Sequence, residues 1–152
     1  MPETDDHVWE VRVAATGPGG ATVYARSHRV EVGSPLTFDR DDPRVSALEQ
    51  VLGALGSDVV VGFWRLAKKK RLEIHGVEAT VEATLENPLT FLGVVGETGE
   101  PAMKAARVRV YVSTPGAREA VEEVWRETLA TSPLVCTLRR SVDLDLTVKT
   151  LV

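Results

Sequence analysis

A chain of 152 residues with a formal net charge of −4 and three histidines, and with a pI near 5.4, has the size of one domain and lacks the basic surplus that a nucleic-acid or anionic-membrane partner demands. The single cysteine, Cys136, excludes an intrachain disulfide and any two-cysteine redox cycle within one chain, and it fits a reducing compartment. With no internal repeat and no low-complexity segment, residues 1–152 read as a single domain.

Met1 to Asp6 carries three acids and no apolar run, so no signal peptide is expected and a cytoplasmic location is. Trp9, Val11 and Val13 then alternate with Glu10 and Arg12, the pattern of a half-buried strand. Gly17-Pro18-Gly19-Gly20 turns it into a second strand with Ala21, Val23 and Ala25 inward; a phosphate-binding loop would open a helix here, and this turn opens a strand. A third strand carries Val30 and Val32 and ends at Gly33-Ser34-Pro35, and Phe38 to Asp42 is a polar connector.

Pro43 to Leu72 reads as one helix of about thirty residues, on the order of 45 Å long. Asp42 is the expected N-cap, Pro43 stands in the first turn, and Lys68, Lys69, Lys70 and Arg71 crowd the far end as a solvated basic terminus. Between Ala47 and Leu66 the helix is apolar almost all round and must be covered on most sides. Glycines 53, 56 and 62, with Ala54 and Ser57, weaken it and predict the close approach of another backbone. Its length suits a membrane span, but Glu49, Gln50, Asp58 and Arg65 interrupt it, so it is read as a buried helix of a soluble protein with no membrane partner.

After Gly76, the residues Val77, Ala79, Val81, Ala83 and Leu85 alternate without error with Glu78, Thr80, Glu82, Thr84 and Glu86. Asn87 to Met103 is a long connection whose Phe91, Leu92, Val94 and Val95 are expected to pack over another surface. Ala106, Val108, Val110 and Val112 mark a fifth strand. Thr114-Pro115 caps a second helix carrying Ala117, Ala120, Val121, Val124, Trp125 and Leu129, and Ser132-Pro133 opens a short third one through Leu138. Val142, Leu144, Leu146 and Val148 form the sixth strand. Three N-terminal and three later strands, all antiparallel and half exposed, around a long central helix make an α+β fold. One small sheet does not cover such a helix, and a second copy of the chain is its simplest cover.

The order of these elements, the run Ala47-Leu48-Glu49-Gln50-Val51-Leu52-Gly53-Ala54-Leu55-Gly56-Ser57-Asp58 and the run Thr131-Ser132-Pro133-Leu134-Val135-Cys136-Thr137-Leu138 resemble the OsmC/Ohr family, the osmotically inducible and organic-hydroperoxide-resistance proteins. The likeness extends from Trp9 to Val148. It implies an intertwined homodimer with two long helices crossing at its centre and a redox site near the interface. It also implies two cysteines, and here the chain departs from the family. Asp58 stands at the place of the reactive one and Ser132 at that of the second, so neither a sulfenate nor a disulfide can form there. Leu48 and Ala21 stand near the places of a glutamate and an arginine that the peroxide-reducing branch uses. Glu49, the nearest acid, lies nine residues before Asp58 and on the opposite side of the helix.

A carboxylate in so apolar a helix must be paired, hydrogen-bonded or protonated. The face around Asp58 carries Val51, Ala54, Leu55, Val61, Gly62 and Arg65; Arg65 is a candidate ion-pair partner and Ser132 a candidate hydrogen-bond donor. Two readings stand open: a ligand pocket for a small apolar molecule built on Asp58, Arg65, Ser132 and Cys136, or a structural or dimer-interface ion pair. A hydrolytic Ser132–Asp58 pair lacks a histidine. Cys136, one helical turn after Ser132, is either a displaced reactive thiol or a small core hydrophobe. His7, His28 and His75 lack ligand spacing, so neither metal nor cofactor is expected, and Trp9, Trp64 and Trp125 fall at core positions. The function expected is a non-redox small-molecule-binding or interaction module at a dimer cleft; the alternative is a thiol-dependent hydroperoxide reductase of the OsmC/Ohr type using Cys136.

Overall fold

The alternating residues of the N-terminal stretch pair as an antiparallel meander in the computed structural model, which describes residues 7–34 and 42–151. Its strands are β1 (Arg12–Gly17), β2 (Gly20–Ala25) and β3 (His28–Gly33), with a two-residue β4 (Val45–Ser46) added parallel to β3. Val13 lies opposite Val23 and Val23 opposite Val30, while Ala15, Ala21 and Val32 align on the same face, so one side of the sheet is apolar. Val13, Val30 and Val45 on that side are exposed within the chain. Trp9 does not join it: the ladder begins at the Arg12–Tyr24 pair, and Trp9, with no strand opposite it, is 86% exposed. Met1 to Asp6 and most of the expected connector before Asp42 lie outside the described residues.

The long helix, α1, spans Ala47–Lys69 and is 23 residues, not thirty. Asp42 is not its cap. The Asp42 carboxylate takes two hydrogen bonds from the Arg44 guanidinium, at 2.9 and 2.8 Å, and one from the Arg44 backbone N–H. The helix starts instead on a reciprocal capping box, in which the Ser46 hydroxyl accepts the Glu49 N–H at 3.1 Å and the Glu49 carboxylate accepts the Ser46 N–H at 2.8 Å. Two orphan donors are thereby satisfied, which an Asp-Pro start four residues earlier would not achieve. At the other end Arg71 adopts φ 58°. Its N–H reaches Lys68 O and the Leu72 N–H reaches Ala67 O at 2.9 Å, a left-handed stop that glycine usually provides. Lys70 is not merely solvated, since it bridges Glu123 at 3.0 Å and Glu127 at 2.9 Å.

The second sheet contains β5 (Gly76–Leu85), β6 (Met103–Ser113) and β7 (Asp143–Leu151) in that spatial order. A single turn of helix, α2 (Pro88–Phe91), lies in the β5–β6 connection, and α3 (Arg118–Thr131) and α4 (Pro133–Leu138) lie between β6 and β7. β5 and β6 are antiparallel, but β6 and β7 are parallel, contrary to the expectation that every pair is antiparallel. The reason is the connection: two helices carry the chain back across the sheet, and a strand entered from such a crossover runs in the same direction as the one it left. The register aligns Val81, Val108 and Leu146, and likewise Ala79, Val110 and Val148, on one face. Against this face pack Leu55, Val59, Phe63, Leu66 and Ala67 of α1 and Val121, Val124 and Trp125 of α3.

The α1 residues in this core recur every three or four positions, and Gly56 is part of the same seam. A Cβ there would come 2.9 Å from Val81 Cγ2, so the close approach that its lack of a side chain permits is to β5. The opposite side of α1 is uncovered: Val61 is 65% and Trp64 43% exposed, so of the three tryptophans only Trp125 is a core residue of the chain. Phe91, Leu92, Val94 and Val95, expected to pack over another surface, are exposed as well, Val95 completely. Met1–Gln50 and Val51–Val152 form two compact units, and the core around Phe63 and Val110 lies in the second. No helix among the described residues is long and apolar enough to cross a membrane.

Candidate functional site

Pro133 dictates the local backbone of the site. A residue before proline is driven out of the α region, so α3 stops at Thr131 and Ser132 is extended, with φ −75° and ψ 117°. Helix α4 restarts at once with Pro133 at its first position, where a missing N–H costs nothing. Ser132 becomes its N-cap: the hydroxyl oxygen accepts the Val135 N–H at 3.2 Å. Its own proton is donated to Asp58 Oδ2, which also accepts the Leu134 N–H at 3.1 Å. The carboxylate of α1 and the hydroxyl of the α3–α4 junction therefore cap α4 together, across 74 residues of chain.

These bonds satisfy one oxygen, Oδ2, of the carboxylate that an apolar helix would otherwise strand. Asp58 is half-buried and Ser132 only 4% exposed, and among the described residues the pair is held by hydrogen bonding with no salt bridge to the carboxylate. Arg65 does not fold back as the ion-pair partner: among the described residues it makes no salt bridge with any carboxylate. It nonetheless borders the same cavity, a recess of about 120 Å³ between Asp58, Val61, Gly62 and Arg65 of α1 and Thr128, Thr131 and Pro133 of the α3–α4 junction. Thr128 donates to Val124 O at 2.7 Å and Thr131 to Glu127 O at 2.8 Å, so their protons are spent within α3 and their lone pairs remain.

Cys136 does not border this recess. Its thiol donates to Ala130 O at 3.5 Å and Leu129 O at 3.8 Å, and Arg139 Nη2 donates to the sulfur at 3.6 Å. The four residues expected to form one site thus divide. Asp58, Arg65 and Ser132 meet at one cavity, and the thiol stands apart from it. Sequence reasoning missed Thr128, Thr131 and the Leu134 N–H; backbone donors carry no sequence mark, but a Ser-Pro helix start was the available pointer to the last. Glu49, the nearest acid to the place of the family's glutamate, is committed to its capping box.

Two roomier surface recesses hold less. One, of about 490 Å³, adjoins Glu82, Arg107 and Asp145, where the Arg107 guanidinium is engaged by both carboxylates in ion pairs of 3.3 and 2.9 Å. The other, of about 520 Å³, adjoins Arg118, which is paired with Glu122 at 2.8 Å. Among the described residues no group of three or more His, Cys, Asp or Glu side chains is placed to hold a metal ion.

The family model described as OsmC-like protein matches residues 40–147. Among solved structures, the chain is similar to an OsmC-like protein from Mycoplasma pneumoniae, with a TM-score of 0.82 at 11% identity over 97% of this chain and 99% of that one. A hypothetical protein from Aquifex aeolicus VF5 superposes with a TM-score of 0.76 at 13% identity, covering 95% and 97% of the two chains. An organic hydroperoxide resistance protein OsmC from Legionella pneumophila superposes at 0.71 and 13%, covering 94% and 98%. No curated protein matches the sequence.

Proposed function

We propose, for a chain that belongs to the OsmC-like protein family, the role of a non-redox small-molecule-binding module, acting as a cytoplasmic homodimer with the Asp58 recess at its cleft. The observation that carries the reading is the Ser132–Asp58 hydrogen bond. The resemblance to OsmC/Ohr proteins puts the two redox cysteines at these two positions, and here they touch. The site keeps its link between α1 and the α3–α4 junction while both of its electron-donating groups are gone. Two-cysteine reduction of a peroxide uses one thiolate to take the oxygen and a second thiol to form the disulfide, and neither a carboxylate nor a hydroxyl does either.

The position of Cys136 supports the same reading. Its thiol donates to the Leu129 and Ala130 carbonyls and stands away from the recess, as a thiol with no part in the site would. The dimer is supported by surfaces that a single chain leaves bare: Val51, Val61 and Trp64 along α1, and Val13, Val30 and Val45 on the first sheet. A second copy covering them would account for a helix that is apolar on nearly all sides.

Dithiol-driven consumption of an organic hydroperoxide by the purified protein tests the non-redox half of the proposal. Rates at the buffer blank are expected for both the parent and Cys136→Ala. Turnover that disappears in the variant would instead establish the thiol-dependent reductase. Sedimentation at micromolar concentration tests the assembly, and a folded monomer there rules out the dimer.

A further inference from the structure

Asp58 and Arg65 carry opposite charges, border one recess, and do not meet. They stand seven residues apart on α1, about two turns or roughly 10 Å along the axis. Asp58 Oδ2 is occupied by the Ser132 hydroxyl and the Leu134 N–H, and Oδ1 makes no hydrogen bond among the described residues. Thr128 and Thr131 have donated their protons to α3 carbonyls. The recess therefore has a free carboxylate oxygen at one end and, at Arg65, a group with donors only and a permanent positive charge at the other.

On the reading of this recess as a binding site, we infer that its ligand is a compact zwitterion, with an ammonium group toward Asp58 Oδ1 and a carboxylate toward Arg65. Each simpler class fails on one wall. An apolar molecule of the kind expected from the sequence would strip water from a carboxylate oxygen and a guanidinium and return no hydrogen bond. An anion alone meets Asp58, and a cation alone meets Arg65. Only a molecule with both charges completes the interrupted ion pair, and the guanidinium fork suits a carboxylate. The size comes from the spacing: Asp58 and Arg65 stand roughly 10 Å apart along α1, so a ligand that reaches both is a short-chain amino acid with its two charges at opposite ends.

Calorimetric titration of the full chain with four probes of similar size tests this: γ-aminobutyrate, n-butylamine, butyrate and tert-butyl alcohol. The zwitterion is expected to bind at least tenfold more tightly than any of the other three. Asp58→Asn and Arg65→Gln should each weaken it at least tenfold, and Arg65→Gln, at an exposed position, tests the claim even if the Asp58 variant folds poorly. Binding of tert-butyl alcohol, butyrate or n-butylamine as tight as that of the zwitterion overturns the inferred class while leaving a binding module in place. Absence of binding for all four probes overturns the binding reading itself.

Discussion

Replacing Asp58 by alanine should cost about 3 kcal/mol of stability. The side chain accepts two hydrogen bonds, from the Ser132 hydroxyl and from the Leu134 N–H. Bonds to an ionised acceptor contribute about 1.5 to 3 kcal/mol each, and the lower end applies because Asp58 is only half-buried. The loss also leaves the buried Ser132 hydroxyl with one of its two partners, the Val135 N–H. Asp58→Asn can set its amide oxygen in the place of Oδ2 for both donors and, losing the charge of the acceptor, should cost about 1 kcal/mol. The assay is equilibrium urea denaturation of parent, Asp58→Ala, Ser132→Ala and the double variant at one fixed protein concentration, since stability of a dimer depends on it. A coupling energy of about 1 to 2 kcal/mol is expected between the two positions. If Asp58→Ala unfolds within about 0.5 kcal/mol of the parent at an unchanged m-value, the carboxylate does not cap α4 and the site built on it is wrong.

Ser46→Ala removes the acceptor for the Glu49 N–H and should destabilise the protein by about 1 kcal/mol, read in the same denaturation experiment. The Arg44 guanidinium and backbone N–H hold the Asp42 carboxyl at a pKa of about 2. Because that value is lowered, the pair contributes stability above the ordinary aspartate range and loses it as pH falls toward 2; a carbon-13 titration should show Asp42 ionised throughout pH 4 to 8, and a midpoint near 4 contradicts the pair. Asp58→Cys with Ser132→Cys should form a disulfide on peroxide treatment, visible by mass spectrometry as the loss of two hydrogens, whereas Asp58→Cys alone should give at most a slowly regenerated sulfenate. A folded double variant that does not cross-link shows that the two positions do not adjoin.

The parts of the fold legible in the sequence are those whose physical cause leaves a mark on it. Val77 to Leu85 was legible because each face of β5 meets one environment, so burial imposes a strict period of two. Alternation carries no direction, however, and β7 has the same pattern parallel as it would have antiparallel. The two helices between β6 and β7 were the better guide to direction. At the start of α1, Asp42-Pro43 and Ser46-x-x-Glu49 are both legitimate start signals, and the second prevails because it satisfies two backbone donors reciprocally. Trp9 looked like a core residue by type, but burial needs a partner strand, and the ladder has none there. The meeting of Asp58 with Ser132 was visible only through the family resemblance, since nothing in either residue specifies a contact across 74 positions. Arg65 was placed on the correct helix face, but its choice between folding back and facing the recess is a matter of rotamer.

The Asp58–Ser132 link also bears on what kind of site this is. A disulfide between these positions would close a loop of 74 residues and, in the chain-entropy account, would stabilise the fold by about 4.5 kcal/mol, but only while oxidised. The two hydrogen bonds contribute about 3 kcal/mol. They therefore hold α1 to the α3–α4 junction at a comparable level, and no thiol reductant can undo them. A covalent link that opens and closes couples the site to the redox state of its surroundings, whereas a hydrogen-bonded one does not. On the proposed non-redox reading that coupling is removed, and the remaining variable at the site is the occupant of the recess beside Asp58 Oδ1. A ligand there meets a carboxylate already oriented by Ser132 and Leu134, so little ordering of that wall is left for binding to supply.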